Sequence, residues 1–287
     1  MPDRLSFAVP DTELEYHPIS FVLVSTGCGS MIINRHDHHR EHEDGGQFGV
    51  GYELLETGRF CTMETELYKR ILNIARRTRG DGVVAMDVGA NIGAITVPLA
   101  RHMRGWGQIM AFEPQRRLFY ALAGNIALGN SFNADAFNVA VGARAGSINV
   151  PGLDYERAAS YGSLELIEDG QADVGQKPDY EHSISVDTIA LSDLRCPRLD
   201  FLKIDVEKME LEVLEGAATL IRTQEPVIAI ENWKVGVRPV DVALRELGYG
   251  QVLDMGAIVV ALPDGLNWER ELPVERMIAI EYIRREL

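Results

Sequence analysis

Asp87-Val88-Gly89-Ala90-Asn91-Ile92-Gly93 lies between a short apolar run, Val83 to Val88, and a helical pattern from Ile92 to Arg104. Gly89 allows a sharp turn where a Cβ would collide. Asn91 enters the left-handed region more cheaply than most residues, and Gly93 lets the helix begin close to the sheet. Amides at a helix N-terminus hold a carboxylate, and Asp87 at the strand end is an anion suited to an ammonium group. A ligand carrying both groups, such as the methionyl part of S-adenosylmethionine, fits this pairing. Asp87, Gly89, Ala90, Asn91 and Gly93 are therefore expected to line a cofactor site.

Four further strand ends carry polar residues. Glu113 in Ala111-Phe112-Glu113-Pro114 follows Gly89 by 24 positions. A carboxylate there accepts hydrogen bonds from both ribose hydroxyls of a nucleotide-like ligand. Asn138-Val139-Ala140-Val141-Gly142 ends the third strand, where small and apolar residues give a base its slot, with Asn138 at the cofactor. Lys203-Ile204-Asp205-Val206-Glu207 ends the fourth. Asp205 is the first candidate for a catalytic base, with capping of the next helix as its plain alternative. Glu231, at the end of the fifth strand, is the second candidate and His182 the third; Glu207 reads as a first-turn helix charge.

The elements that must position these residues alternate. Helices are expected over Glu64 to Arg79, with Thr62 as N-cap and Gly80 as stop, and over Ile92–Arg104, Gln115–Leu128, Met209–Arg222 and Val240–Leu247. Strands are expected over Val83–Val88, Gln108–Phe112, Ala136–Val141, Phe201–Asp205 and Val227–Ile230, with a closing antiparallel pair at Val252–Leu253 and Ile258–Leu262. Apolar strands separated by helices make an α/β, Rossmann-like, doubly wound and mostly parallel sheet, which binds ligands at the carboxyl ends of its strands.

Residues 1–60 read as a β extension: a hairpin of Ile19–Val24 and Met31–Ile33, then a polar loop with His36, His38, His39 and His42. The spacing of these histidines matches no standard metal site, and no catalytic metal is expected. Residues 61–287 form the main domain. Within it, Asp154 to His182 carries eight acidic and two basic residues with little apolar periodicity, and is a candidate substrate lid.

Composition narrows the class. Of 287 residues, 46% are hydrophobic and 25% charged, and the formal net charge is −15. Such a surface repels polyphosphate, so nucleic acid is not an expected partner. Cys28, Cys61 and Cys196 make neither a disulfide framework nor a zinc knuckle. No signal-like segment or stretch of about 18 apolar residues is present. The expectation is a cytoplasmic protein without a membrane partner, with room for a homodimer.

These motifs, in this order, resemble the class I S-adenosylmethionine-dependent methyltransferases and more narrowly the FkbM family. That family shows Asp-Val-Gly-Ala-Asn-x-Gly, a Phe-Glu-Pro strand end, and Lys-Ile-Asp-Val-Glu-Gly-x-Glu leading to Leu-x-Gly-Ala. The chain has Asp87–Gly93, Phe112-Glu113-Pro114, Lys203–Glu207, Glu210 and Leu214-Glu215-Gly216-Ala217. Ser185–Ile189 loosely echoes the family's Val-x-x-x-x-Leu-Asp lead-in. Lys208 stands where the family has glycine. The resemblance covers roughly residues 50 to 262 and implies methyl transfer from S-adenosylmethionine, usually to an oxygen of a small molecule or sugar. Two alternatives belong to other classes: an NAD(P)-dependent oxidoreductase on a similar sheet, and a non-catalytic binding or assembly protein that keeps the fold.

Overall fold

Phe21–Thr26 (β1) and Gly29–Asn34 (β2) pair as an antiparallel hairpin, Phe21 opposite Asn34 and Thr26 opposite Gly29. Thr26 Oγ1 accepts from the Cys28 N–H and donates to the Gly29 carbonyl, so the expected turn tightens to Gly27-Cys28. The short pair β3 (His39–Arg40) and β4 (Gln47–Phe48) follows, then helix α1 (Val50–Thr57), which the sequence reading did not expect. The chain is described by a computed structural model over residues 19–40, 46–166 and 174–265. Expectations for residues 1–18, His42 and residues 167–173 of the acidic segment lie outside the described residues.

Helix α2 (Thr62–Arg79) has its N-cap at Cys61 rather than Thr62, and the Gly80 N–H closes it on the Arg76 carbonyl. Then come β5 (Val83–Val88), α3 (Thr96–His102), β6 (Gly107–Phe112) and α4 (Arg116–Leu128). The run expected as one strand over 136–141 is two: β7 (Ala134–Phe137) and β8 (Ala140–Val141). Between them Asn138 Nδ2 donates to the carbonyls of Glu113 and Pro114 at 2.8 and 3.0 Å, which turns the chain out of the main sheet. Strand β8 instead joins β9 (Gly146–Gly152) and β10 (Asp179–Ile189) in a separate sheet ordered β8-β10-β9. Then follow β11 (Phe201–Ile204), α5 (Glu210–Gln224), β12 (Val227–Glu231), α6 (Val237–Glu246), β13 (Gln251–Asp254) and β14 (Ile258–Leu262).

The main sheet has the order β13-β14-β12-β11-β5-β6-β7, parallel except for β14, which opposes both neighbours. One face packs against α2 and α3 through Leu67, Ile71, Leu99, Ile109 and Phe201. The other packs against α5 and α6 through Leu202, Ile204, Val213, Leu214 and Leu244. β5 is buried along its whole length, as a central strand covered on both faces must be. The strand order reverses between β5 and β11, which opens a crevice at their carboxyl ends.

The hairpin packs on α4. Met31 and Ile33 share a cluster with Ile92, Leu118, Ala121 and Tyr161. Asn125 of α4, fully buried, bonds both the N–H and the C=O of Ile32 and also the Ile92 carbonyl. One side chain thus ties the extension to the loop after β5. Among the described residues no helix is long and apolar enough to cross a membrane.

Candidate active site

The chain leaves β5 through three positive-φ residues: Gly89 (79°), Asn91 (51°) and Gly93 (84°). A Cβ on Gly89 would overlap the Asp205 carbonyl oxygen, and one on Gly93 would sit 2.8 Å from Leu122 Cδ1. The backbone roles of Gly89 and Asn91 match the sequence reading, whereas Gly93 makes room for Leu122 of α4 rather than for the start of a helix. The amides also depart from that reading, because the loop bonds to itself. Gly89 and Ala90 both donate to the Phe112 carbonyl, Asn91 to Glu113 Oε2 at 2.8 Å, Ile92 to Asn91 Oδ1 at 2.7 Å, and Gly93 to the Ala90 carbonyl. The helix starts at Thr96, not Ile92. The loop therefore offers shape and a path for close approach, rather than a row of open N–H groups.

Asp87 was expected to face an ammonium group of the ligand. The β5–β11 register sets Lys203 opposite it, and Lys203 Nζ lies 3.1 Å from Asp87 Oδ1. Its other oxygen accepts from the Thr96 hydroxyl at 2.6 Å. Asp87 is 1% exposed and lies behind the cavity wall, as does Gly93. Lys203 Nζ is also 3.2 Å from Asp205 Oδ2. Burial would lower the lysine pKa, but the Asp205 and Asp87 carboxylates outweigh it, so the ammonium stays charged.

A cavity of about 290 Å³ opens at the crevice. Gly89, Ala90, Asn91, Glu113, Asp205 and Glu231 all line it, with Val139, Ala140 and Val141 as an apolar patch. Glu113 is buried, and its two oxygens accept the Asn91 and Gln115 N–H groups at 2.8 Å each. A carboxylate has about four acceptor sites, so capacity for a vicinal diol remains. Burial pushes the Glu113 carboxyl up to about 7, against the two backbone donors that lower it. Asn138 is behind the wall, where its bonds to Glu113 and Pro114 fix the strand end.

Asp205, Glu207 and Glu231 gather at the ends of β11 and β12, one oxygen of each within 4.8 Å of the others. Burial raises Glu231 well above the usual carboxylate range, followed by the charges of Asp205 and Glu207, and it shares a hydrogen bond with Asp205. Glu207 is raised for the same reasons, burial first. Lys234 Nζ, 2.6 Å from Glu207 Oε2, supplies part of the balancing charge. Neither helix reading holds here: α5 begins at Glu210 with Met209 as its N-cap, and Glu207 sits before it in a left-handed conformation. His182 is not brought to the cavity; it is exposed on β10 and paired with Asp179 at 2.8 Å.

Two walls complete the cavity, the first missed by the sequence reading and the second lying in the segment expected as a substrate lid. Phe48, Glu53, Phe60, Cys61 and Glu64 line the cavity from α1, α2 and their flanks, so the N-terminal extension contributes to the site. In the sequence Glu64 stands only as the first residue of the expected helix. Residues Ser160, Gly162, Ser163, Leu164 and Leu166 of the acidic segment form the other wall. Asp37 holds it down by accepting the N–H groups of Tyr161 and Gly51 at 3.1 and 2.9 Å. The long separation of Asp37 from Tyr161 left no local signal.

A sheet with this order and a single reversed strand, and a glycine-turned loop beside a strand-end glutamate, define a class I methyltransferase. Comparison with known proteins agrees: the methyltransferase FkbM domain matches residues 87–250, and the chain belongs to that family. Methyltransferase sdnD of Sordaria araneosa is 28% identical over 193 residues, 57% of this chain and 72% of that protein. The crystal structure of methyltransferase FkbM from Methylobacillus flagellatus KT is 18% identical with a TM-score of 0.44, covering 63% of this chain. The chain spans 43% of the length of that structure. The N-terminal domain of human METTL16 in complex with SAH is 12% identical with a TM-score of 0.40, covering 70% of this chain and 69% of that one. Family membership sets aside the oxidoreductase alternative. The protein is a methyltransferase and its cofactor is S-adenosylmethionine.

The residues present fit that group. Glu113 has free acceptor sites inside the cavity, Val139–Val141 are apolar, and the Gly89 turn lacks the side chain that would close the approach. Gly89→Ala should separate the ends of β5 and β11. The expected loss of S-adenosylhomocysteine affinity is tenfold or more by calorimetry, from overpacking of about 1–3 kcal/mol.

Proposed function

We propose that this enzyme methylates a hydroxyl oxygen of a small biosynthetic intermediate or a saccharide. The observation that carries this reading is the Asp205–Glu231 pair in the cavity wall, with Glu231 protonated by burial and by its neighbours' charge. Carboxyl groups this close share protons. When bound, S-adenosylmethionine presents a methyl group on a positively charged sulfur, already activated for in-line displacement. The chain's own task is to orient the acceptor and to take up its hydroxyl proton. Asp205 accepts that proton. Glu231 donates to Asp205 and keeps it aimed, and Lys203 limits the charge that builds up on the pair. Glu113 holds the ribose, and the Val139–Val141 patch takes the adenine. The net charge of −15 and the carboxylates around the cavity oppose a polyphosphate acceptor, which favours a small molecule over nucleic acid.

The test is a panel of alcohols, sugars, phenols, carboxylic acids and amines incubated with methyl-labelled S-adenosylmethionine, with the methylated atom located by NMR. A methyl ether formed on a hydroxyl supports the proposal, and a methyl ester or a product methylated on nitrogen or carbon overturns it. On the acceptor found, Asp205→Asn should lower kcat by about 10²–10⁴.

A further inference from the structure

Lys208 has a φ of 82° and its neighbour Glu207 a φ of 57°. A lysine at +82° is strained, and such strain persists only where surrounding contacts over-determine it. Two contacts hold Lys208: its N–H donates to Glu210 Oε1 at 3.3 Å, and its side chain reaches Glu165, which is 4% exposed. Lys208 Nζ lies 2.9 Å from Glu165 Oε2, and Lys234 Nζ lies 3.3 Å from Glu165 Oε1. Lys234 also donates to the Ser163 carbonyl at 2.8 Å and meets Glu207 at 2.6 Å. Burial works to raise the Glu165 pKa, but the two lysines outweigh it and hold the carboxyl below its usual range. The gripped segment packs on the cofactor loop: a Cβ on Gly162 would come within 2.6 Å of Asn91 Nδ2. At its other end, Gln115 Nε2 donates to the Tyr161 carbonyl at 2.7 Å.

We propose that Lys208 and Lys234 form a two-lysine clamp on Glu165 that holds residues 160–166 down over the methyl-donor cavity. Lys208 is a positioning residue in this role. Its side chain replaces the conformational ease of glycine with an ion pair to the opposite wall, so residues 160–166 are held against the cavity by charge. The clamp sets how fast the nucleoside leaves. Its effect on ligand exit rests on the assignment of the cavity to S-adenosylmethionine, whereas its effect on the segment does not.

Two measurements separate these parts. Hydrogen exchange followed by mass spectrometry reads residues 155–166 directly, without ligand. In Lys208→Gly the amides there should exchange at least tenfold faster while those of β5 and α5 are unchanged; Lys208→Arg should restore protection, and Glu165→Gln should lose it. Stopped-flow release of S-adenosylhomocysteine reads the consequence. The off-rate should rise about tenfold in Lys208→Gly, return in Lys208→Arg, and depend on salt more steeply in the parent protein than in Lys208→Gly, where the Lys234–Glu165 pair remains. Unchanged exchange in both Lys208→Gly and Glu165→Gln overturns the clamp. Faster exchange with an unchanged off-rate overturns its control of ligand exit. No binding of S-adenosylhomocysteine to the parent overturns the cavity assignment alone.

Discussion

Glu113→Ala is expected to weaken S-adenosylhomocysteine binding by roughly 2–4 kcal/mol, about 30- to 1000-fold in Kd. Two losses combine. The ribose hydroxyls lose a charged acceptor, and the Asn91 and Gln115 N–H groups lose the carboxylate that fixes the loop. Glu113→Gln keeps one acceptor oxygen and should fall between. The same side chain makes binding depend on pH. Its carboxyl titrates near 7 in the free protein, and hydroxyl donors favour the ionised form. Ligand binding must then release a proton below that pH, so affinity should rise from pH 6 to pH 8 in the parent and stay flat in Glu113→Gln. Calorimetry in buffers of different ionisation enthalpy counts the proton. Equal Kd in all three proteins would remove the ribose assignment.

Lys203→Met should destabilise the fold more than any single change in the cavity wall. Asp87 is 1% exposed and Lys203 is 6% exposed, so removing the ammonium leaves a carboxylate buried beside apolar strands. Breaking such a pair from one side costs about 3–5 kcal/mol, which lowers Tm by on the order of 10 °C in a chain of this size. Adding Asp87→Asn to Lys203→Met should recover part of the loss, because a neutral amide tolerates the site and can still meet the Thr96 hydroxyl. A Tm within about 2 °C of the parent in the single variant would contradict this electrostatic account of the β5–β11 junction.

The parallel core was legible because its strands are short continuous apolar runs, and Val83–Val88 falls where periodicity set it. The closing pair and α2 were legible for the same reason, from spacing and terminal glycine. Strand β10 was not, since seven of its eleven residues face solvent and its partners lie far away in sequence. The split between β7 and β8 depends on Asn138 reaching back to the carbonyls of Glu113 and Pro114, a contact no local window contains. In the site, the glycines and Glu113 were readable because a backbone turn and a strand end restrict residue type. Asp87 misled because its charge was visible while Lys203 opposite it in the neighbouring strand was not recognised as its partner. His182 misled in the opposite way: it lies beside the acidic segment in sequence and yet points into solvent. The placement of Glu53 and Glu64 in the cavity wall and the contacts of Glu165 come from long-range packing, and the Lys208 departure from the family pattern was the trace that the Glu165 contacts left in the sequence.

The bond between Ile32 and Asn125 spans 93 residues. Closing so long a loop is slow relative to forming helices and neighbouring strands. During synthesis the hairpin leaves the ribosome before its docking surface on α4 is made, and Met31 and Ile33 stay uncovered in the interval. The hairpin thus waits for α4, and the nascent protein carries an adhesive patch until that helix emerges.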